Sequence, residues 1–149
     1  ARRLKVPAES KRSSLAIRDR KKMCVAKKDG RDAITLYETK ERFGHFSEID
    51  VRILTGRTHQ IRVHLAHIGC PIAGDGAYGG GTLKTQELRG DRRAALQDAL
   101  DRLQGQALHA RDISFRHPRT NETVSFTAPP APDIAAFINF LKENDPLEV

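Results

Sequence analysis

The chain has 149 residues, enough for one domain built around one core and too few for two independent ones. Hydrophobic residues make up 38% and charged residues 30%, and no uninterrupted apolar run approaches the roughly 20 residues of a membrane-spanning helix, which excludes that class. Lysine and arginine number 26 against 19 acids, a net charge of +7, and such an excess favours a polyanion, nucleic acid foremost, through phosphate neutralisation and counterion release. The alternative is a merely solubilising surface. Aromatic residues are only 5% and Trp is absent, so a surface of stacked aromatics for single strands is poorly supported and folded or double-stranded RNA fits better.

Residues 1–22 carry 9 Lys or Arg with few large apolar side chains, the composition of a basic N-terminal segment that is either a solvated arm or an edge that packs on something else. The chain opens Ala1-Arg2-Arg3-Leu4-Lys5 without Met or an apolar signal region, which reads as a start inside a longer protein and not as a secretory leader. Met23–Ala26 and Ala33–Thr39 read as short strands around the turn signal Lys28-Asp29-Gly30, a predicted hairpin. Ile49, Val51 and Ile53 alternate with Glu48, Asp50 and Arg52, the period of a strand with one buried face.

Thr55-Gly56-Arg57-Thr58 breaks that alternation, and His59 to Ile68 is predicted to be a helix with Ile61, Leu65 and Ile68 on one face, Thr58 as cap and Gly69 as terminator. The glycine-rich run 74–81 requires sharp turns or close backbone approach. A second helix is predicted over Arg92–Leu103, with Leu96, Leu100 and Leu103 at helical spacing. Leu108–Phe115 and Thr123–Thr127 flank the turn cluster 117–121, a second hairpin. Past the prolines of 128–132, Ile134, Phe137, Ile138 and Leu141 mark a terminal amphipathic helix that Asp133 can cap. Hairpins with helices between them, without regular β-α alternation, argue an α+β class with a largely antiparallel sheet and flanking helices. Cys24 and Cys70, far apart in a chain with ample core, read as free thiols of a reducing, cytoplasmic compartment.

Functional side chains are densest in Thr55-Gly56-Arg57-Thr58-His59-Gln60-Ile61-Arg62-Val63-His64, with His67 beyond. His59, His64 and His67 invite a metal-enzyme hypothesis, but spacings of five and three do not put all three on one helical face, and no acid lies in the run. The ordinary reading of His64 and His67 is a hydrogen bond to backbone beside an apolar face. Arg57 at the helix start and Arg62 beyond can point to one side with His59 and Gln60, a cluster able to bind phosphate or hold a carboxylate through the planar guanidinium fork. The competing reading for either arginine is a surface salt bridge.

Residues 53–64, followed by Gly69-Cys70-Pro71-Ile72 and Gly74-Asp75-Gly76-Ala77-Tyr78-Gly79, resemble the third conserved motif of the RluA family of pseudouridine synthases. Gln106-Ala107-Leu108-His109-Ala110, Phe115-Arg116-His117-Pro118 and Phe126-Thr127-Ala128-Pro129 resemble the family's C-terminal strands in the same order. Asp29–Thr35 and Glu41-Arg42-Phe43 are most similar to the large-subunit rRNA pseudouridine synthase D branch. The resemblance covers about Met23 to Pro132. It implies a pseudouridine synthase-like α+β fold with a mixed, mostly antiparallel sheet and flanking helices, rRNA as partner, isomerisation of uridine to pseudouridine, and no metal or other cofactor.

The family's aspartate, nucleophile or base, lies in an upstream His-Arg-Leu-Asp motif that this sequence does not contain. The resemblance therefore makes residues 23–149 the C-terminal half of a catalytic domain, inactive alone, with the aspartate supplied from outside. By motif position Arg62 corresponds to the cationic partner of that aspartate. Arg57, His59 and Gln60 line the RNA cleft or brace its loop, and Leu108 packs beneath the target base. Asp75 is expected to cap its own turn, and Tyr78 is not the family's active-site tyrosine. The runner-up is a basic RNA-binding module on the same scaffold without chemistry.

Overall fold

The structure is a computed structural model that describes residues 11–19, 22–26, 31–83, 88 and 90–147. Strands β1 (Lys11–Asp19), β2 (Lys22–Ala26), β3 (Arg31–Arg42) and β4 (Ser47–Ile53) form one sheet in the order β2-β1-β3-β4. Helices α1 (Gln60–His67) and α2 (Gly90–Asp101) follow, then strands β5 (Asp112–Arg116) and β6 (Thr123–Thr127), which form a separate two-stranded sheet, and helix α3 (Pro132–Asn144). Every strand pairing described is antiparallel, in keeping with the α+β class.

The order of strands corrects the N-terminal reading. Lys11–Asp19 is neither arm nor edge but an inner strand, paired with β2 through Leu15↔Val25 and with β3 through Ser13↔Ala33. The predicted hairpin between residues 23–26 and 33–39 therefore does not form, because β1 lies between them; its turn, Lys28-Asp29-Gly30, lies outside the described residues. Two ladders of backbone hydrogen bonds hold this strand, a source of order that a sparse apolar pattern does not advertise.

β4 alternates as expected, but Ile49 and Val51 are only half-buried and Ile53 is 47% exposed. It is an edge strand, and α1 lies instead against β2 and β3. The main core is built by α2, α3 and the β3–β4 turn: Phe43, Leu88, Leu96, Leu100, Phe137 and Leu141 are buried together, and Phe46 meets Phe137 edge-on with ring centroids 5.3 Å apart. Asp145, fully buried at the end of α3, ties that turn down by accepting hydrogen bonds from the His45 backbone N–H at 2.7 Å and Arg92 Nη2 at 3.1 Å. A second, smaller cluster joins Ala33 of β3 to Val63 of α1, with Tyr78 against it. This second cluster fixes the motif-bearing helix on the sheet.

The C-terminal helix begins one residue before the predicted cap. Ala131 is the N-cap and Pro132 supplies the first turn with its preset φ, while the Asp133 carboxylate accepts the Gln104 backbone N–H at 3.0 Å. Residues 108–111, expected to extend the first strand of the hairpin, lie outside it.

Candidate active site

The strand-turn-helix at residues 53–68 is held by a buried polar network and not by apolar contact alone. Thr55 Oγ1 accepts the Ile34 backbone N–H at 2.9 Å and donates to Gln60 Oε1 at 2.8 Å. Gln60 Oε1 also accepts the Arg57 N–H at 3.1 Å, and its Nε2 donates to Ile34 O and Thr35 Oγ1, both at 3.0 Å. His64 Nδ1 pairs with the same Thr35 hydroxyl at 2.8 Å. Thr35, Gln60 and His64 are all buried, so the network satisfies groups that would otherwise carry a desolvation penalty.

This geometry assigns Gln60 to bracing. Its amide is buried and both ends are engaged within the chain, so no part of it is offered to RNA. His64 is buried and bonds to a side chain of β3, whereas His67 is exposed. Thr58 does not cap α1. The N-cap is His59, in the left-handed region at φ 55°, with no side-chain cap, a conformation rare for a residue with a Cβ. Gly69, at φ 82°, ends the helix as predicted.

His59 owes its orientation to the glycine-rich loop. Its Nδ1 lies 2.9 Å from Tyr78 Oη, and the two rings meet edge-on at 5.7 Å. The loop itself closes through Gly74 N–H to Gly80 O and Gly80 N–H to Asp75 O. A Cβ on Gly80 would lie 1.7 Å from the Ile72 carbonyl oxygen, so only glycine permits this closure.

At the base of the loop Asp75, 1% exposed, receives the Arg62 fork: Nε donates to Oδ2 at 2.8 Å and Nη2 to Oδ1 at 2.7 Å. The guanidinium also lies over the Tyr78 ring, 4.8 Å from its centroid, a cation–π contact. Asp75 caps its turn as expected, accepting the Tyr78 N–H at 3.2 Å. The Arg62 contact is the part that sequence reasoning missed. Burial works to raise the Asp75 pKa, but the Arg62 hydrogen bond and charge, with the Tyr78 and Ala77 backbone N–H groups, outweigh it and hold the carboxyl below the usual carboxylate range. Asp75 in turn pushes the Arg62 guanidinium upward against the lowering effect of burial.

The site is thus a layered cluster: buried Asp75, then Arg62 fixed on one edge and one face, then Tyr78 and His59 half-exposed. Among the described residues Arg62 Nη1 carries no hydrogen bond, leaving one donor edge of a clamped cation for a further acceptor. Arg57 is exposed, with its Nε 3.4 Å from Asp32 O. Leu108 is 37% exposed and precedes the β5–β6 hairpin, away from this cluster in sequence. Among the described residues no group of three or more His, Cys, Asp or Glu is placed to hold a metal ion, and no helix is long and apolar enough to cross a membrane.

The sequence and the α+β fold find counterparts among RNA pseudouridylate synthases. The RNA pseudouridylate synthase family model matches residues 4–67. The chain is 43% identical over 127 residues to the "Ribosomal large subunit pseudouridine synthase D" of Xanthomonas campestris pv. campestris, a match covering 85% of this chain and 37% of that protein. It is 40% identical over 141 residues to the protein of the same name from Neisseria meningitidis serogroup A, covering 92% of this chain and 36% of that one. In fold it resembles the solved structure of Human RNA Pseudouridylate Synthase Domain Containing 4, with TM-score 0.67 and 19% identity over 91% of this chain and 56% of that one. In sequence and in fold the chain is similar to RNA pseudouridylate synthases, as its motifs imply. It spans under two fifths of the length of these curated relatives.

Proposed function

We propose that this chain is the arginine-bearing, C-terminal part of an rRNA pseudouridine synthase, and that the aspartate that attacks comes from a His-Arg-Leu-Asp segment outside these residues. The observation that carries the reading is the state of Arg62: clamped by Asp75 and Tyr78, with one donor edge left over among the described residues. An incoming carboxylate meeting that edge stays ionised, because the adjacent cation favours the charged form. Ionisation is what the reaction demands of it. The target uridine leaves its stack, its N-glycosidic bond breaks, and the freed uracil turns and rejoins through carbon, with the carboxylate as nucleophile or base.

In this reading Asp75 does not react. Its two oxygens are occupied by Arg62 and the turn backbone, and it sets the tilt of the guanidinium. Arg57, exposed at the start of the helix, contacts phosphate, and His59 lines the cleft beside it. Leu108 packs beneath the displaced base. Large-subunit rRNA as substrate is supported by the names of the bacterial relatives and by the +7 charge. Two free thiols fit a cytoplasmic setting.

The test is reconstitution. Incubated with unmodified large-subunit rRNA, the 149-residue chain alone should yield no pseudouridine above background; with the upstream segment of a relative supplied, it should. Turnover by the chain alone would overturn the division of the site. A reconstituted pair that binds rRNA yet forms no pseudouridine would leave a non-catalytic RNA-binding module.

A further inference from the structure

The β5–β6 hairpin is amphipathic in register but uncovered in place. Ile113 pairs with Phe126 and Phe115 with Val124, so these four side chains share one face, while Ser114↔Ser125 and Arg116↔Thr123 fall on the other. The polar face satisfies itself, Ser125 Oγ donating to Ser114 Oγ at 3.0 Å and Thr127 Oγ1 to Asp112 Oδ1 at 2.8 Å. The apolar face does not: Ile113 and Phe126 are each 59% exposed and Phe115 44%, although the Phe115 and Phe126 rings stack at 6.2 Å. The base of the hairpin is tied to the main sheet where Arg111 Nη1 meets Asp50 Oδ1 at 3.0 Å.

A two-stranded ribbon is marginal in water, and clean polar–apolar alternation belongs to a sheet with one face packed. The occupant must therefore be apolar. RNA is disfavoured, since a stacking platform interleaves aromatics with cations, and the pairing puts Arg116 on the opposite face. The fold match supplies the candidate: 91% of this chain accounts for only 56% of the human structure, so that structure contains a large further portion beyond what the two share.

We propose that the apolar face of the β5–β6 hairpin is the docking seat for the portion of the synthase fold outside these 149 residues. This rests on the reading of the chain as one part of a synthase, and identifies where the parts meet. Covering Ile113, Phe115 and Phe126 would convert an unsupported ribbon into a packed layer and fix the second part against the Arg62 cluster's own scaffold.

The 149-residue chain is co-expressed with the unmatched upstream portion of the Xanthomonas relative, and affinity is measured for the native sequence, Phe126→Asp and Ser125→Asp. The native chain and Ser125→Asp should capture the upstream portion, and Phe126→Asp should lose about tenfold or more in affinity. Should Phe126→Asp fail to fold, amide exchange on the native chain decides: protection of β5 and β6 must rise when the upstream portion is bound. Failure of the native chain to bind, equal binding by Phe126→Asp, or unchanged hairpin exchange would each overturn the seat. Phe126-dependent self-association without capture would assign the face to a second copy, and Phe126-dependent RNA binding with capture unchanged would assign it to RNA. Capture without pseudouridine formation would sustain the seat while removing the enzymatic reading.

Discussion

Arg62, in the first turn of α1, donates two parallel hydrogen bonds of 2.8 and 2.7 Å to Asp75 at the base of a glycine-rich loop. The carboxylate is 1% exposed, so each charge depends on the other for solvation. Replacing Asp75 by Asn keeps the shape and removes the charge, and breaking a buried pair of this kind costs on the order of 3 kcal/mol. Asp75→Asn should therefore lower the urea midpoint without changing the slope of the transition.

The same pair sets an acid limit. Because the folded Asp75 pKa is lowered, its contribution is fully present above the unfolded value of about 3.9 and is lost as pH falls through the folded value beneath it. Stability of the native chain should decline more steeply than that of Asp75→Asn below about pH 4. Parallel pH profiles of unfolding free energy would contradict this.

Two glycines of one loop should behave oppositely. A Cβ on Gly80 would collide with the Ile72 carbonyl, whereas one on Gly76 meets nothing within 4 Å. Gly76→Ala should stay within about 0.5 kcal/mol of the native chain, while Gly80→Ala should cost about 2 kcal/mol or more by forcing backbone apart. Thermal unfolding of the two variants side by side provides the comparison.

Gln60 offers a test of bracing that leaves side-chain volume intact. Gln60→Glu keeps the acceptor for Thr55 and Arg57 but removes the donor to Ile34 O and Thr35. A carboxylate facing a carbonyl in a buried network should destabilise by about 2 kcal/mol or more. Stability equal to that of the native chain would mean that the network does not hold the helix.

Arg57, exposed and free of any ion pair among those described, should act on binding alone. If it meets phosphate, Arg57→Ala weakens rRNA binding across sequences and reduces the log–log salt slope by about one unit. An unaltered slope in a salt titration of affinity would remove it from the RNA contacts.

The strand-turn-helix was legible because the apolar period changes from two to about 3.6 across Gly56, and Gly69 marks the helix end. The buried face of that helix was legible only in part: of the stripe Ile61, Leu65 and Ile68 only Leu65 is buried, and Gln60, Val63 and His64, at i, i+3 and i+4, complete the face that packs. A polar residue at that spacing is the signal that was available. The Arg62–Asp75 contact was invisible because it depends on how Gly74 and Gly80 fold a loop back over 13 residues. β1 was hidden by its basic composition, its order coming from two neighbouring ladders and not from its own pattern.

The central claim, that this chain presents Arg62 to a carboxylate that reacts, is tested most directly by separating rate from binding in the reconstituted enzyme. Single-turnover pseudouridine formation at saturating rRNA is measured for the native sequence, Arg62→Met and Arg62→Lys, with equilibrium rRNA binding alongside. Removing the cation leaves the incoming carboxylate desolvated and prone to protonation. Arg62→Met should react about a hundredfold more slowly, about 2.7 kcal/mol of barrier, while binding changes little, and Lys should restore part of the rate because it returns the charge without the fork. A native rate for Arg62→Met at saturating rRNA would contradict the account and leave Arg62 as a structural partner of Asp75 alone.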